Sequence, residues 1–154
     1  MTKITFLFFT VALIFGSNSI KADDSEYPSH MELGILASLY AHPSIGYWWG
    51  QYGLRFSGIN HGRDEHEYHL NIGYVLSNIN NIQHSINLIT SRVVGSDPGA
   101  DYNFNATGIA YGINYKGFFF ELGLAIPWND KIGNLENDPV VPAGYFGYIH
   151  RFML

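Results

Sequence analysis

Among its 154 residues the chain contains no cysteine. That excludes disulfide stapling and a lipid-bearing cysteine, so a small exported domain of this kind must find its stability elsewhere. Positive charge is also scarce, with eight Lys and Arg against thirteen Asp and Glu and no basic cluster anywhere. Nucleic acid is therefore not an expected partner, because phosphate recognition needs concentrated positive charge. After residue 22 no stretch approaches about 18 uninterrupted apolar residues, so no transmembrane helix is available. The acidic residues also lack the Asp-x-Asp-x-Asp-Gly spacing of a calcium-binding loop.

The front of the chain has a character of its own. Lys3 is followed by an apolar run over residues 4–15 and then by small and polar residues up to Ala22. That order reads as a secretory signal peptide, residues 1–22, cleaved after Ala22. The run is too short to cross a bilayer as a helix, which takes about 20 apolar residues. Removal takes Lys3 and Lys21 and no acid, leaving six basic and thirteen acidic residues, a formal charge of −7. Residues 23–32 are an acidic lead-in carrying Pro28, with room for a first strand, and the main domain runs over residues 33–154.

What the chain has in abundance is aromatic and glycine residues: 11 Tyr, 11 Phe and 17 Gly. The most regular stretch is residues 65–76. His66, Tyr68, Leu70, Ile72, Tyr74 and Leu76 alternate there with Glu67, His69, Asn71, Gly73 and Val75. A period of two with one apolar and one polar or tiny face marks a strand with different surroundings on its two sides. The same alternation is expected over residues 33–41, 46–57, 82–94, 104–115, 118–126 and 144–154, although residues 31–40 also read as a short helix. A turn is expected at His42-Pro43-Ser44, since proline cannot donate to a ladder. A polar turn is expected over residues 77–81 and a two-residue hairpin connection at Lys116-Gly117.

Short connections then alternate with long ones, the longest over residues 127–142. This is the habit of an up-and-down antiparallel transmembrane β-barrel, with short periplasmic turns and longer outside loops. Seven strands are clear, whereas such single-chain barrels use an even number. The expected total is eight, with the missing strand between Asp24 and Met31 ahead of a turn near Glu32. The polar face would line the barrel and the apolar face would meet lipid.

The end of the chain, Gly144-Tyr145-Phe146-Gly147-Tyr148-Ile149-His150-Arg151-Phe152, has alternating aromatics and a closing Phe. In this it resembles the C-terminal assembly signal of the small bacterial outer-membrane β-barrel proteins, although Met153 and Leu154 follow the Phe. The resemblance covers residues 33–154 and is to the class, not to a characterised subfamily. It implies an integral protein of the Gram-negative outer membrane. Its partners would be outer-membrane lipids, lipopolysaccharide and, through the C-terminal strand, the barrel-assembly machinery.

Arg55, Glu67, His69, Asn71, Asn87, Asn114, Glu121 and Arg151 would point into the lumen. Eight-stranded barrels are just filled by side chains, so these groups are expected to interlock rather than line a wide pore. Trp48, Trp49 and Trp128 are expected at the membrane interfaces, where amphipathic rings are favoured. No cofactor or metal site is expected. His66 and His69 are three apart and face opposite sides of a regular strand, leaving only a fold-back of His61 onto His66. Asp97, Asp101, Asp130, Glu136 and Asp138 are loop carboxylates with a divalent cation or its bridge to lipopolysaccharide as their candidate ligand. No catalytic residue is assigned. The expected role is structural or surface-interacting, with two alternatives.

One alternative is an outer-leaflet lipid-modifying enzyme of the lipid A deacylase or acyltransferase type. Its close His/Ser pairs would be His42-x-Ser44, at an expected periplasmic turn, and His84-Ser85, whose side chains diverge on a strand. The other is a soluble periplasmic barrel binding an apolar ligand, with Tyr74 and Phe120 turned inward.

Overall fold

The structure, a computed structural model, describes residues 27–38, 40–62, 65–97, 100–128, 131–132 and 140–154. For residues 96–97, 100–102 and 131–132 it describes the backbone alone. The signal peptide and residues 23–26 lie outside the described residues. The described strands are β1 (His30–Ala37), β2 (Ala41–Trp49), β3 (Tyr52–Asn60), β4 (His66–Ile79), β5 (Ile82–Asp97), β6 (Ala100–Tyr115), β7 (Phe118–Pro127), β8 (Lys131–Ile132) and β9 (Val141–Met153). All pairings are antiparallel. The order β5-β4-β3-β2-β1-β9-β7-β6 closes through a β5–β6 ladder, giving an eight-stranded barrel with β8 as a two-residue addition to β6. Closure leaves no free barrel edge, which gives a cysteine-free chain its cooperative framework.

The strand count is as expected, but the division of residues 30–60 is not. Three strands occupy the stretch assigned to two. His42-Pro43-Ser44 lies inside β2 rather than at a turn, paired to Leu36, Ile35 and Gly34. Proline fits there because the β2–β3 ladder stops at Ser44, so Pro43 has no strand partner on that side. Glu32 is likewise mid-strand, opposite Gly46 and Arg151, and not at a turn. The first strand begins at His30, inside the expected lead-in. Among the described residues of 31–40 there is no helix, and residues 31–37 belong to β1.

All three connections at one end are two residues long: Gly50-Gln51, Asn80-Asn81 and Lys116-Gly117. Asn80, Asn81, Lys116 and Gly117 have positive φ, the conformation that lets a two-residue hairpin match strand twist. β4 runs on to Ile79 through a bulge between Val75 and Ser77, so the expected turn over 77–81 contracts to its last two residues. Both described ends of the chain lie at this short-turn end. The opposite end carries the connections around residues 38–40, 61–65, 98–99 and 128–140. There β5 and β6, each of 16 residues, outrun their neighbours: the β4–β5 ladder stops at Val94 and the β6–β7 ladder at Ala106.

Side-chain direction follows the pleat. Ile35, Leu122, Leu124 and Phe146 face outward and are 65, 58, 64 and 61% exposed, and Leu70 is exposed beside them. Glu32, Arg55, Glu67, Asn71, Asn87 and Glu121 are buried inside the barrel. The inverted arrangement does not form: Phe120 is exposed and Tyr74 shares the outward face of β4 with Leu70.

Candidate functional site in the barrel lumen

Because neighbours on a strand face opposite sides, every second residue of each strand enters the lumen. Near the short-turn end the polar side chains centre on Glu32. Arg55 donates to its Oε2 from Nε at 3.2 Å and Nη2 at 2.5 Å, and Arg151 donates from Nε to Oε1 at 3.1 Å. His30 stands 3.4 Å from Oε1. The Arg55 guanidinium also lies 4.3 Å from the centre of the Phe119 ring, so its charge is held on two sides.

Deeper in, Glu121 accepts from Asn71 Nδ2 at 2.9 and 3.0 Å and from Asn87 Nδ2 at 2.5 Å. Asn71 also donates to the Tyr145 hydroxyl at 2.6 Å. Leu36, Phe119, Tyr145 and Ile149 pack together beside these groups, so the lumen here is occupied by large side chains.

Towards the long-loop end a third group gathers around Glu67. Its Oε1 accepts from the Ser38 hydroxyl and lies 2.9 Å from His69 Nε2, while Tyr40 N–H donates to Oε2 at 3.4 Å. His69 Nδ1 lies 2.7 Å from Ser91 Oγ. His42 enters from β2, its Nε2 3.5 Å from Ser38 Oγ and its ring centre 5.1 Å from that of His69. A cavity of about 450 Å³ opens onto this cluster, lined among others by Ser38, Glu67, His69, Ser91, Phe104 and Tyr145.

The eight residues assigned to the lumen thus fall into separate groups. Arg55 and Arg151 meet at Glu32, Asn71 and Asn87 meet at Glu121, and Glu67 pairs with His69. Asn114 stands apart, its Oδ1 accepting from Gly117 N–H at 3.2 Å to close the neighbouring turn. Arg151 is the most open of them, with its side chain 26% exposed. Sequence reasoning missed Glu32, Ser38 and Tyr145, and it placed His42 at a turn beside Ser44 rather than in the lumen. Glu32, Ser38 and His42 were hidden by the misplaced turns, although Glu32, Gly34 and Leu36 alternate with Met31, Leu33 and Ile35 as the other strands do.

The tryptophans divide differently from the expectation. Trp49 and Trp128 are exposed, near the short-turn and long-loop ends respectively. Trp48 is buried inside the barrel and is not an interface residue. Gly53 and Gly73, opposite each other on β3 and β4, make room for its indole, and a Cβ at either would collide with it.

The two close His/Ser pairs bring no serine and histidine together. His84 faces outward and binds the Tyr111 hydroxyl at 2.6 Å, while Ser85 is inside with Asn87. His42 is in contact with Ser38 rather than Ser44. The expected loop carboxylates Asp97, Asp101, Asp130, Glu136 and Asp138 fall outside the described side chains. In comparisons with family models, curated proteins and solved structures, the chain matches none.

Proposed function

We propose that this chain is a small integral β-barrel of the Gram-negative outer membrane, with a structural or surface-interaction role. The observation that carries the reading is the outward belt of large apolar side chains on all eight barrel strands. Soluble monomers rarely expose contiguous apolar patches beyond a few hundred Å², and here the exposed Ile, Leu and Phe side chains encircle the barrel. In a bilayer that belt is buried in hydrocarbon, while closed strands satisfy every ladder without water.

Trp49 and Trp128 then mark the two interfaces, Trp128 steadied by its Nε1–H donation to Thr107 Oγ1 at 3.2 Å. The even strand number puts both ends of the barrel at the two-residue-turn end, and short turns are the periplasmic ones in such barrels, so that end is assigned to the periplasm. The long β5–β6 ribbon and residues 128–140 belong outside. A strand crosses with about 9–11 residues, so the 16-residue β5 and β6 have several to spare for a projecting surface. Trp48, Arg55, Phe119 and Tyr145 cross the lumen and favour a plug over a wide pore. Lipids and lipopolysaccharide are the partners this surface fits, and β9 is the strand offered to the assembly machinery.

Envelope fractionation tests the reading. The protein is expected in the Sarkosyl-insoluble fraction, with migration on gels that shifts on boiling. Recovery in the soluble periplasmic fraction would overturn it. The lipid-modifying alternative draws on the Ser91–His69–Glu67 chain of contacts, and altered lipid A mass spectra on expression are its signature.

A further inference from the structure

We propose that His42, Glu67 and His69 form a binding site for a divalent transition-metal ion of the zinc class, inside the barrel at its long-loop end. One ligand atom of each residue lies within 4.8 Å of those of the other two, and all three residues are buried. Glu67 and His69 are two apart on β4 and so share its inward face. His42 reaches the same place from β2, one strand removed across β3.

Charge supplies the second reason. A buried carboxylate needs a compensating cation. Among the described ion pairs, Glu32 has two arginines, whereas Glu67 has a histidine alone. A metal ion between Glu67 and the two imidazoles would supply positive charge directly beside the carboxylate. His42 has a polar atom to spare at this cluster: it is 1% exposed, and its Nδ1 is one of six buried side-chain atoms without a hydrogen-bond partner among the described residues. A buried polar atom without a partner needs a reason, and a bound ion is one that also accounts for the neighbouring Glu67 and His69.

The surroundings fit the same ion. Two imidazoles and one carboxylate are a borderline donor set, suited to zinc and its neighbours rather than to calcium or magnesium. An Nδ1–H donated to Ser91 Oγ, 2.7 Å away, would leave Nε2 as the ligand nitrogen of His69, the kind of contact that fixes the tautomer of metal-bound histidines. Ser38 Oγ and Tyr40 N–H hold the Glu67 carboxylate from the loop side. Bond lengths of about 2.0–2.2 Å require the three side chains to draw together slightly, at the expense of the Glu67–His69 contact. The cavity beside Glu67 and His69 leaves a coordination position open to water or a small ligand. A serine-nucleophile reading uses Ser91, His69 and Glu67 but leaves His42 without a purpose.

The site requires the folded barrel and not its location, so it is tested on the full chain folded in detergent micelles. After equilibrium dialysis against Zn²⁺, one equivalent per chain is expected, retained against a large excess of Ca²⁺ and Mg²⁺. His42→Gln and Glu67→Gln should abolish stoichiometric binding while keeping the heat-modifiable gel shift that reports the fold. Ser91→Ala should weaken it about 10- to 100-fold, and His84→Gln, on the outer face, should leave it unchanged. Should His42→Gln or Glu67→Gln fail to fold, pulsed EPR of the Cu²⁺-loaded unsubstituted protein decides, with coupling to two imidazoles expected. The proposal is overturned by folded protein that takes up no Zn²⁺, by folded His42→Gln or Glu67→Gln protein that binds as before, or by coupling to fewer than two imidazoles. Covalent labelling of Ser91 by a fluorophosphonate in the metal-free protein would likewise overturn it, in favour of the serine nucleophile.

Discussion

Glu32 shows how much of this barrel rests on single interior charges. It anchors two arginines, one of them, Arg55, almost wholly out of water. Removing one partner of a buried pair strands the other charge, at a cost of about 3–5 kcal/mol, whereas exchanging the whole set for apolar groups is often neutral. Glu32→Ala is therefore expected to lower the urea midpoint of the detergent-folded protein steeply, and Glu32→Leu with Arg55→Met and Arg151→Met to recover most of the loss. Trp48 makes the complementary point about space. Gly73→Val is expected to cost about 1–3 kcal/mol through overpacking against its indole, and a smaller residue at 48 should reduce that penalty. Alternation made Glu67 and Glu121 visible as inward groups, because their strands were correctly bounded. Glu32 and His42 are not legible as inward groups for the opposite reason: a proline and a histidine in sequence look like a turn, and only the ladder that ends at Ser44 shows why Pro43 is tolerated in a strand. Trp48 was misread because an indole is at home in either setting; the opposed glycines that admit it come together only once β3 and β4 are paired.

For the elements, turn chemistry and face chemistry carry separate tests. The Asn80-Asn81 turn holds two non-glycine residues at positive φ. That conformation costs most L-residues about 1–2 kcal/mol, and Asn less. Asn81→Val is accordingly expected to destabilise the β4–β5 hairpin by about that amount, read as a lowered unfolding midpoint, and Asn81→Gly to be neutral or slightly stabilising. The outward face of β7 gives a depth profile. Leu122→Arg, near the middle of the strand, is expected to cost about 2–4 kcal/mol in a bilayer, while Ile126→Arg, at the rim, falls to about 0–1. Equal penalties at both positions in lipid-folded protein would contradict the assigned depths. The period of two sufficed to find β4 to β7 and β9 from their residues alone. Residues 30–60 resist because Gly50-Gln51 is a weaker turn signal than His42-Pro43-Ser44, so the pattern divides them into two strands and leaves the eighth to the residues before them.

At the scale of the whole molecule, the lumen groups, the turns and the aromatic rims depend on one arrangement: an eight-stranded barrel whose large apolar side chains look outward, which the proposed function sets against hydrocarbon. The absence of native cysteine makes this directly measurable, since any single introduced cysteine is the only thiol. Leu70→Cys, Leu122→Cys and Phe146→Cys report the belt, and Val140→Cys reports the exposed long-loop end. The decisive measurement is the reaction of these four variants with a charged, membrane-impermeant maleimide in intact cells and in isolated envelopes. Labelling at Val140→Cys, with the three belt positions protected until the protein is unfolded, is the predicted result; belt cysteines reacting as fast as Val140→Cys would contradict it.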